Sequence, residues 1–360
     1  MQPARTAAQS IDLPAAARAR PAREVLAAGR RQVEPALREV VATLPPTMCR
    51  IAGYHFGWWD ADGAPTGTPA GGKAIRPALA LLAAEAAGGD PVAAVPAAVA
   101  VELVHNFSLI QDDVIDGDLT RRHRPTVWSV FGTGAAIVAA DALSTLAVEV
   151  LTASGHLSAR PAVRLLNAAT LELIEGQNVD LSFEDRTDVD LLECLRMAAG
   201  KSGALLGCAC ALGAMLGGAS AAQVALLRGF GEQLGVAFQL TDDLLGIWGD
   251  PAVTGKPAHS DLQRRKKSLP VVAALTSGTP AGAELAALYH RDRPLSDPEL
   301  ARAAELVERA GGRAWSRTRA GDLLTDALRA LDAAVDHTAD TARAAAELGA
   351  LARLAVHRDH

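Results

Sequence analysis

His105-Asn106-Phe107-Ser108-Leu109-Ile110-Gln111-Asp112-Asp113-Val114-Ile115-Asp116 is the stretch on which the reading of the fold turns. It emerges from an apolar run over residues 92–103 and ends with three carboxylates within five residues. Carboxylates this close repel one another and lose hydration together, so an apolar helix does not gather them without a use. At about 100° per residue, Asp112 and Asp116 lie one above the other on one helix face, with Asp113 beside them. His105 and Leu109 continue that stripe. Such a cluster suits hard divalent cations, which take oxygen ligands and bridge to phosphate oxygens. Taken alone, a solvated acidic helix end explains the motif equally well.

A second acidic pair lies 130 residues further on, in Phe238-Gln239-Leu240-Thr241-Asp242-Asp243-Leu244-Leu245-Gly246. It belongs to a long helical pattern over residues 221–248, where Gln239, Asp242, Asp243 and Gly246 recur at spacings of three and four. Cations surround the two pairs in sequence. Gly71-Gly72-Lys73-Ala74-Ile75-Arg76-Pro77 offers backbone N–H groups with Lys73 and Arg76 three apart, so that one anion can meet both. Arg121, Arg122 and Arg124 follow the first motif, either as surface ion pairs for its aspartates or as guanidinium forks for diphosphate. Lys201, flanked by Gly200 and Ser202 inside an apolar helix, either snorkels or meets an anion. After a polar loop over residues 249–260 comes Asp261-Leu262-Gln263-Arg264-Arg265-Lys266-Lys267-Ser268-Leu269-Pro270. There Arg264, Arg265 and Lys267 read as a solvated face.

Hydrophobic residues make up 49% of the 360 residues and aromatics only 4%, so the core is built from Ala, Leu and Val. That composition favours helices in close approach, and no strand pattern competes with helix. Further helices are expected over residues 21–44, bent at Pro35, and over 135–151, 162–181 and 189–216. Three or four amphipathic helices complete the chain. The aromatic-rich residues 53–68 read as a loop tucked onto the bundle. Residues 1–20 read as a flexible tail ahead of one all-α domain spanning residues 21–360.

A net charge of −6 argues against a nucleic-acid partner. No apolar run reaches the roughly 18 residues of a transmembrane segment, so none is expected. The N-terminus lacks the apolar core of a signal peptide. Cys49, Cys194, Cys208 and Cys210 form no metal-binding spacing and read as buried thiols in a reducing cytoplasm.

Taken together and in this order, the motifs resemble those of the trans-type isoprenyl diphosphate synthases, the polyprenyl synthetase family, over residues 71–270. The resemblance implies a large helical bundle with a central cavity between two facing aspartate-rich helices. It implies an Mg2+-dependent, head-to-tail condensation of isopentenyl diphosphate with an allylic diphosphate, and a homodimer. By the same resemblance Asp112, Asp116 and Asp242 ligate the metal, three ions per site, while Asp113 and Asp243 act through waters and neighbours. Arg121, Lys201, Lys256 and Lys266 contact the allylic diphosphate. Lys73, Arg76, His105 and Arg122 hold the diphosphate of isopentenyl diphosphate, and Gln239 and Ser202 lie near the reacting carbon.

Three departures from the family pattern stand out: Ala74 for a frequent basic residue, Ser202 for Thr, and Gly246 for the third aspartate of the second motif. The last suggests a missing outer-shell carboxylate, so that Gly246→Asp is expected to leave activity unchanged or raise it. Phe107 and Ser108, five and four residues before Asp112, sit where the family sets product length. One aromatic there points to geranylgeranyl diphosphate, with farnesyl diphosphate second. The rival readings are a terpene cyclase, which would have no use for Lys73, Arg76, His105 and Arg122, and a non-catalytic subunit of a heteromeric synthase, which would have lost an aspartate motif. A bare helical scaffold leaves the charges unexplained.

Overall fold

The computed structural model describes residues 19–66, 72, 74–184, 186–251, 258–291 and 293–357. Ten helices carry the chain as far as the second acidic motif: α1 Ala22–Ala42, α2 Pro46–Phe56, α3 Ile75–Ala86, α4 Val95–Ile115, α5 Val127–Phe131, α6 Thr133–Ala153, α7 Ala159–Ser182, α8 Leu191–Ala198, α9 Ala204–Leu216 and α10 Ala221–Trp248. Short helices Ser260–Gln263 and Leu269–Leu275 follow, and then four longer ones, Pro280–Tyr289, Asp297–Arg309, Gly312–Ala334 and Ala339–Val356. The chain is all-α, as the composition implies.

Helix positions follow local chemistry. In α1 the buried residues Val25, Gly29, Val33, Leu37 and Val41 recur every fourth position, one stripe along an amphipathic helix. Ser220 opens α10 by accepting a hydrogen bond from Gln223 N, while the Gln223 side chain answers the Ser220 N–H, a capping box. Helix α9 is apolar all round and accordingly central. Together with α3 it separates two cores, one shared with α4, α6 and α7 and the other with α10 and the Gly312–Ala334 and Ala339–Val356 helices. A third, smaller core over residues 247–307 packs Leu262, Leu285 and Leu306 beyond the end of α10.

Several sequence expectations need correction. Residues 53–56 are helical rather than loop, because Pro46 occupies the first turn of α2, where its missing N–H is harmless, and Gly57 ends the helix at φ 75°. The aromatics there are indeed tucked in. Tyr54, Phe56 and Trp58 are buried, with Phe56 and Trp58 stacked at 4.7 Å and Arg38 4.4 Å above the Trp58 ring. One minimal antiparallel hairpin exists, Thr120–Arg121 against Arg124–Pro125, turned by Arg122 and His123 at φ 52° and 61°. Two residues of each strand leave no periodicity for a sequence to display. The helix expected over residues 189–216 is interrupted by a π-helical turn, Ala199–Gly203. Close approach explains it. A Cβ on Gly176 of α7 would lie 2.4 Å from Lys201 N, and one on Gly235 of α10 2.5 Å from Gly203 Cα.

Three helical stretches, Pro91–Ile115, Thr133–Ala153 and Leu191–Leu216, are long and apolar enough to cross a membrane by length and composition. Polar residues interrupt each stretch, His105-Asn106 in the first, Ser144-Thr145 in the second and Lys201-Ser202 in the third, so no continuous apolar run marks them in the sequence. The first and third are mostly buried inside the protein, whereas only 39% of the window in Thr133–Ala153 is covered. Cys194, Cys208 and Cys210 are buried free thiols and Cys49 is half-buried. The tail expected over residues 1–20 lies outside the described residues except for its last two. Of these, Arg20 forms a two-pronged ion pair with the fully buried Glu347 carboxylate, at 2.9 and 2.6 Å.

Candidate active site

The two aspartate pairs are built alike, one carboxylate turned into the protein and one turned out. Asp113 is buried and its Oδ1 accepts from Arg121 Nε of the small hairpin at 2.7 Å. Its Oδ2 is buried without a hydrogen-bond partner. Burial raises the Asp113 pKa to about 6 against the pull of Arg121. Asp112, about 100° round the helix, is half-buried. Burial raises its pKa, Lys201 and Lys266 across the cleft oppose that rise, and Asp116 adds to it. Asp116 caps α4, its N–H donating to Asp112 O at 2.8 Å, and its carboxylate is exposed 3.7 Å from Arg264. Gly117, at φ 64°, then turns the chain out of the helix.

On α10, Asp243 is sealed in, accepting from Gln239 Nε2 at 2.8 Å and from Leu269 N at 2.9 Å. Burial raises its pKa to about 7, opposed chiefly by Lys266. Gln239 in turn accepts from Ser202 Oγ at 2.5 Å, which ties α10 to the π-helical turn. Asp242 is exposed and its charge acts on Lys266. Helical spacing had grouped Asp242 with Asp243, yet the structure turns them to different sides of α10.

Asp180 on α7, which the sequence does not single out, joins the two lysines. Lys201 Nζ lies 2.6 Å from its Oδ2 and Lys266 Nζ 3.9 Å from the same atom. Burial alone would raise the Asp180 pKa, but the two lysines outweigh it and hold it below the usual range. Lys266 is pushed up despite its own burial by Asp180, Asp243, Asp261 and Asp242. The available signal was Gly176 four residues before Asp180, which puts the carboxylate on the face of α7 that meets the π-helical turn. Arg264, read as solvated, instead pairs with Asp116 and Asp118. Arg265 donates to Arg293 O, and Lys267 Nζ to Glu184 O at 2.8 Å.

Gly246 is not a vacancy. A Cβ built there would meet the Asp261 carboxylate, 2.4 Å from Cγ and Oδ2 and 2.6 Å from Oδ1. The Asp261 carboxylate thus occupies the space a side chain at 246 would enter, so Gly246→Asp is expected to displace it rather than fill a gap.

A second cationic group brings together Arg76 of α3, Arg122 of the hairpin turn and the α4 residue His105. Arg76 and Arg122 are both desolvated and repel each other; burial chiefly lowers the Arg76 pKa, to about 10, and that of Arg122. His105 sits beside them, its pKa pushed well below the usual value by burial and then by Arg76 and Arg122, so its ring is neutral. The Arg122 guanidinium packs over Gly72, 2.3 Å from where a Cβ would stand, so a side chain at 72 would push the guanidinium aside. Arg30 donates to Gly72 O. Lys73 and Lys256 lie outside the described residues. Phe107 and Ser108 are buried within α4, with Ser108 Oγ donating to His105 O at 2.8 Å.

The donor set fits magnesium. All candidate ligands are carboxylate oxygens, and among the described residues no three His, Cys, Asp or Glu side chains form a ready-made metal cage. Magnesium is commonly held by one or two carboxylates together with substrate phosphates, which is what separated Asp112, Asp116 and Asp242 can provide. Asp112, His105, Arg76 and Lys266 all keep partial exposure while being strongly desolvated, as expected on the wall of a cleft.

Two acidic helix faces, cations between them and a separate cationic group define an all-α enzyme that handles diphosphates. Residues 65–307 match the polyprenyl synthetase family model. The chain is 49% identical to a (2E,6E)-farnesyl diphosphate synthase of Mycobacterium tuberculosis over 299 residues, covering 82% of this chain and 83% of that one. It is 47% identical to a geranylgeranyl diphosphate synthase of the same organism, covering 86% and 89%. The crystal structure of a polyprenyl synthetase from Streptomyces coelicolor superposes with a TM-score of 0.86 at 50% identity, covering 92% of this chain and 99% of that one. A geranylgeranyl pyrophosphate synthase from Corynebacterium glutamicum, solved with isoprenyl diphosphate and magnesium, superposes at 0.75 with 26% identity, covering 94% and 98%. The chain belongs to the polyprenyl synthetase family and is a trans-prenyltransferase of the farnesyl or geranylgeranyl diphosphate synthase type.

Proposed function

We propose that this enzyme condenses isopentenyl diphosphate with allylic diphosphates and releases chiefly geranylgeranyl diphosphate. The observation that carries the condensation is the pair of separate cationic groups, Lys201 with Lys266 opposite Asp112, and Arg76 with Arg122 beside His105. One diphosphate needs one such group, and two substrates need both. A cyclase would leave the second unused.

Magnesium held by Asp112, Asp116 and Asp242 would stabilise charge developing on the leaving diphosphate. Lys201 and Lys266 would do the same from fixed positions, already oriented by Asp180 before substrate binds. The allylic C–O bond breaks with its electron pair passing to diphosphate. The alkene of isopentenyl diphosphate then forms the new C–C bond, and the proton it sheds goes to the departed diphosphate. Gln239 and Ser202, locked to each other at 2.5 Å, line the reacting end.

Product length rests on Phe107 and Ser108, roughly 7.5 and 6 Å down α4 from Asp112 at 1.5 Å per residue. A single aromatic supports a twenty-carbon product. The 49% identity to proteins named farnesyl diphosphate synthase is what favours fifteen carbons. Labelled isopentenyl diphosphate incubated with each allylic primer and magnesium, followed by product chromatography, tests the reading. Phe107→Ala should lengthen the products and Ser108→Phe shorten them. Unchanged chromatograms from both variants would remove α4 from length control.

A homodimer is supported by the apolar groups left outside on neighbouring helices, Val130, Ile137, Val138, Leu171 and Ile174. A cytoplasmic site is supported by the buried free thiols. Sedimentation and fractionation test these two points.

A further inference from the structure

Helix α2 takes no part in the site described so far, yet its last turn reaches the middle of α4. His55 Nε2 lies 3.0 Å from Asn106 Oδ1. The Asn106 amide nitrogen is engaged with Glu102, donating to its backbone oxygen at 2.7 Å and to its Oε1 at 3.0 Å. Since the amide nitrogen gives both hydrogens to Glu102, the amide oxygen must accept, and His55 must carry its proton on Nε2. The chain of bonds therefore has one direction, from His55 through Asn106 to the Glu102 carboxylate. Burial chiefly, with Arg122 and Arg121 adding, drops the His55 pKa to about 3, so the ring stays neutral and this direction does not change near neutral pH.

Glu102 stands in a telling place. It is the largest attractive charge on Arg76 and also on Arg122, a half-buried and an exposed guanidinium group that otherwise repel each other. An unfixed carboxylate there would swing to one arginine or out to water. Asn106 prevents this from one turn along the helix, and His55 fixes Asn106.

We propose that His55, Asn106 and Glu102 are positioning residues that set Arg76 and Arg122 for the diphosphate of the second substrate, without touching that substrate. This rests on the assignment above of Arg76 and Arg122 to isopentenyl diphosphate. It gives the aromatic segment around α2 a role: burying Tyr54, Phe56 and Trp58 anchors the helix end that presents His55.

The test is steady-state kinetics on the full-length enzyme, varying each substrate in turn. His55→Phe keeps the ring volume and removes the donor. It should raise KM for isopentenyl diphosphate about tenfold, as expected for loss of one hydrogen bond in a charged network. KM for the allylic substrate should stay within about twofold and kcat within about threefold. His55→Gln, which returns a donor at similar reach, should recover most of the loss. If His55→Phe does not fold, Asn106→Asp asks the same question, since it keeps the size but cannot donate to Glu102. Equal rises in both KM values, or a fall in unfolding midpoint alone, would mean a merely structural network and overturn the proposal. Arg122→Gln is measured alongside. If it raises KM for isopentenyl diphosphate while His55→Phe does not, the relay is wrong and the subsite stands. If neither variant shifts that KM, the subsite assignment itself fails.

Discussion

Gly246→Asp would restore the third acid of the second motif, and the structure says that it should damage the enzyme. The new Cβ would stand 2.4 Å from the Asp261 carboxylate, well inside contact distance, so Asp261 must leave. Replacing a mid-helix glycine by Asp normally gains only about 0.3 kcal/mol, since Asp is itself a poor helix former. Against that, two carboxylates left about 4 Å apart repel by about 4 kcal/mol at an effective dielectric constant of about 20. The balance is a loss of up to about 4 kcal/mol, together with displacement of a charge that raises the Lys266 pKa. Gly246→Ala separates the two contributions: it displaces Asp261 without adding charge, so its stability should stay within about 1 kcal/mol of the parent. Urea unfolding of the metal-free protein reads stability, and labelled isopentenyl diphosphate reads turnover. The double variant Gly246→Asp with Asp261→Gly returns a single carboxylate to the same space from the other side, and should recover both quantities by a non-additive amount. A Gly246→Asp single variant as stable and active as the parent would refute the reasoning.

Asp112→Ala or Asp242→Ala should cut turnover at least about a hundredfold, the scale of losing one fixed charge-stabilising group. Removing magnesium with chelator should abolish turnover while circular dichroism keeps the helix signal; loss of helix instead would make the metal structural. Asp180→Asn leaves Lys201 and Lys266 facing each other without their shared anion, so unfolding free energy should fall by about 3 kcal/mol. Added diphosphate should stabilise this variant more than the parent, and equal stabilisation would remove Asp180 from the cation pair. Glu347 is buried against Arg20 and Arg343, and although burial works against it these partners hold its pKa below the usual 4.5. A depressed carboxylate stabilises the fold above its unfolded pKa and loses that stabilisation as pH falls through the folded value. The stability difference between parent and Glu347→Gln should therefore be full at pH 7 and shrink below about pH 4.5, as read by unfolding at each pH.

How much of this was legible in the sequence depended on whether a feature repeats along the chain. The amphipathic stripe of α1, the long α10 and both aspartate pairs have helical period and were visible. Asp180 was not, because its partners Lys201 and Lys266 are 21 and 86 residues away and only folding joins them. The π-helical turn was hidden for a similar reason: Gly200 and Gly203 look like ordinary small residues until Gly176 and Gly235 are seen pressing on them. Gly246 reads in the sequence as a missing side chain, and the carboxylate beside it, Asp261, lies fifteen residues downstream on another helix, where no motif spacing points to it.

Helix α4 itself shows why so much of the site could nevertheless be read from one stretch. Seven residues return a helix to within about 20° of the same direction. His105 and Asp112 therefore share one stripe, Asn106 and Asp113 the next, and Glu102 falls in line with the second. The first stripe faces the cleft, where His105 meets Arg76 and Arg122 and Asp112 meets Lys201 and Lys266. The second faces α2 and the hairpin, where Asp113 holds Arg121 and Asn106 holds Glu102. Each group proposed to meet substrate thus has, one position further along the chain, a group bonded to the neighbouring charged side chains. A substitution in the second stripe is then expected to alter binding without touching a ligand, and a substitution in the first to alter chemistry without loosening the fold. The acidic stretch is so dense because one helix supplies both stripes.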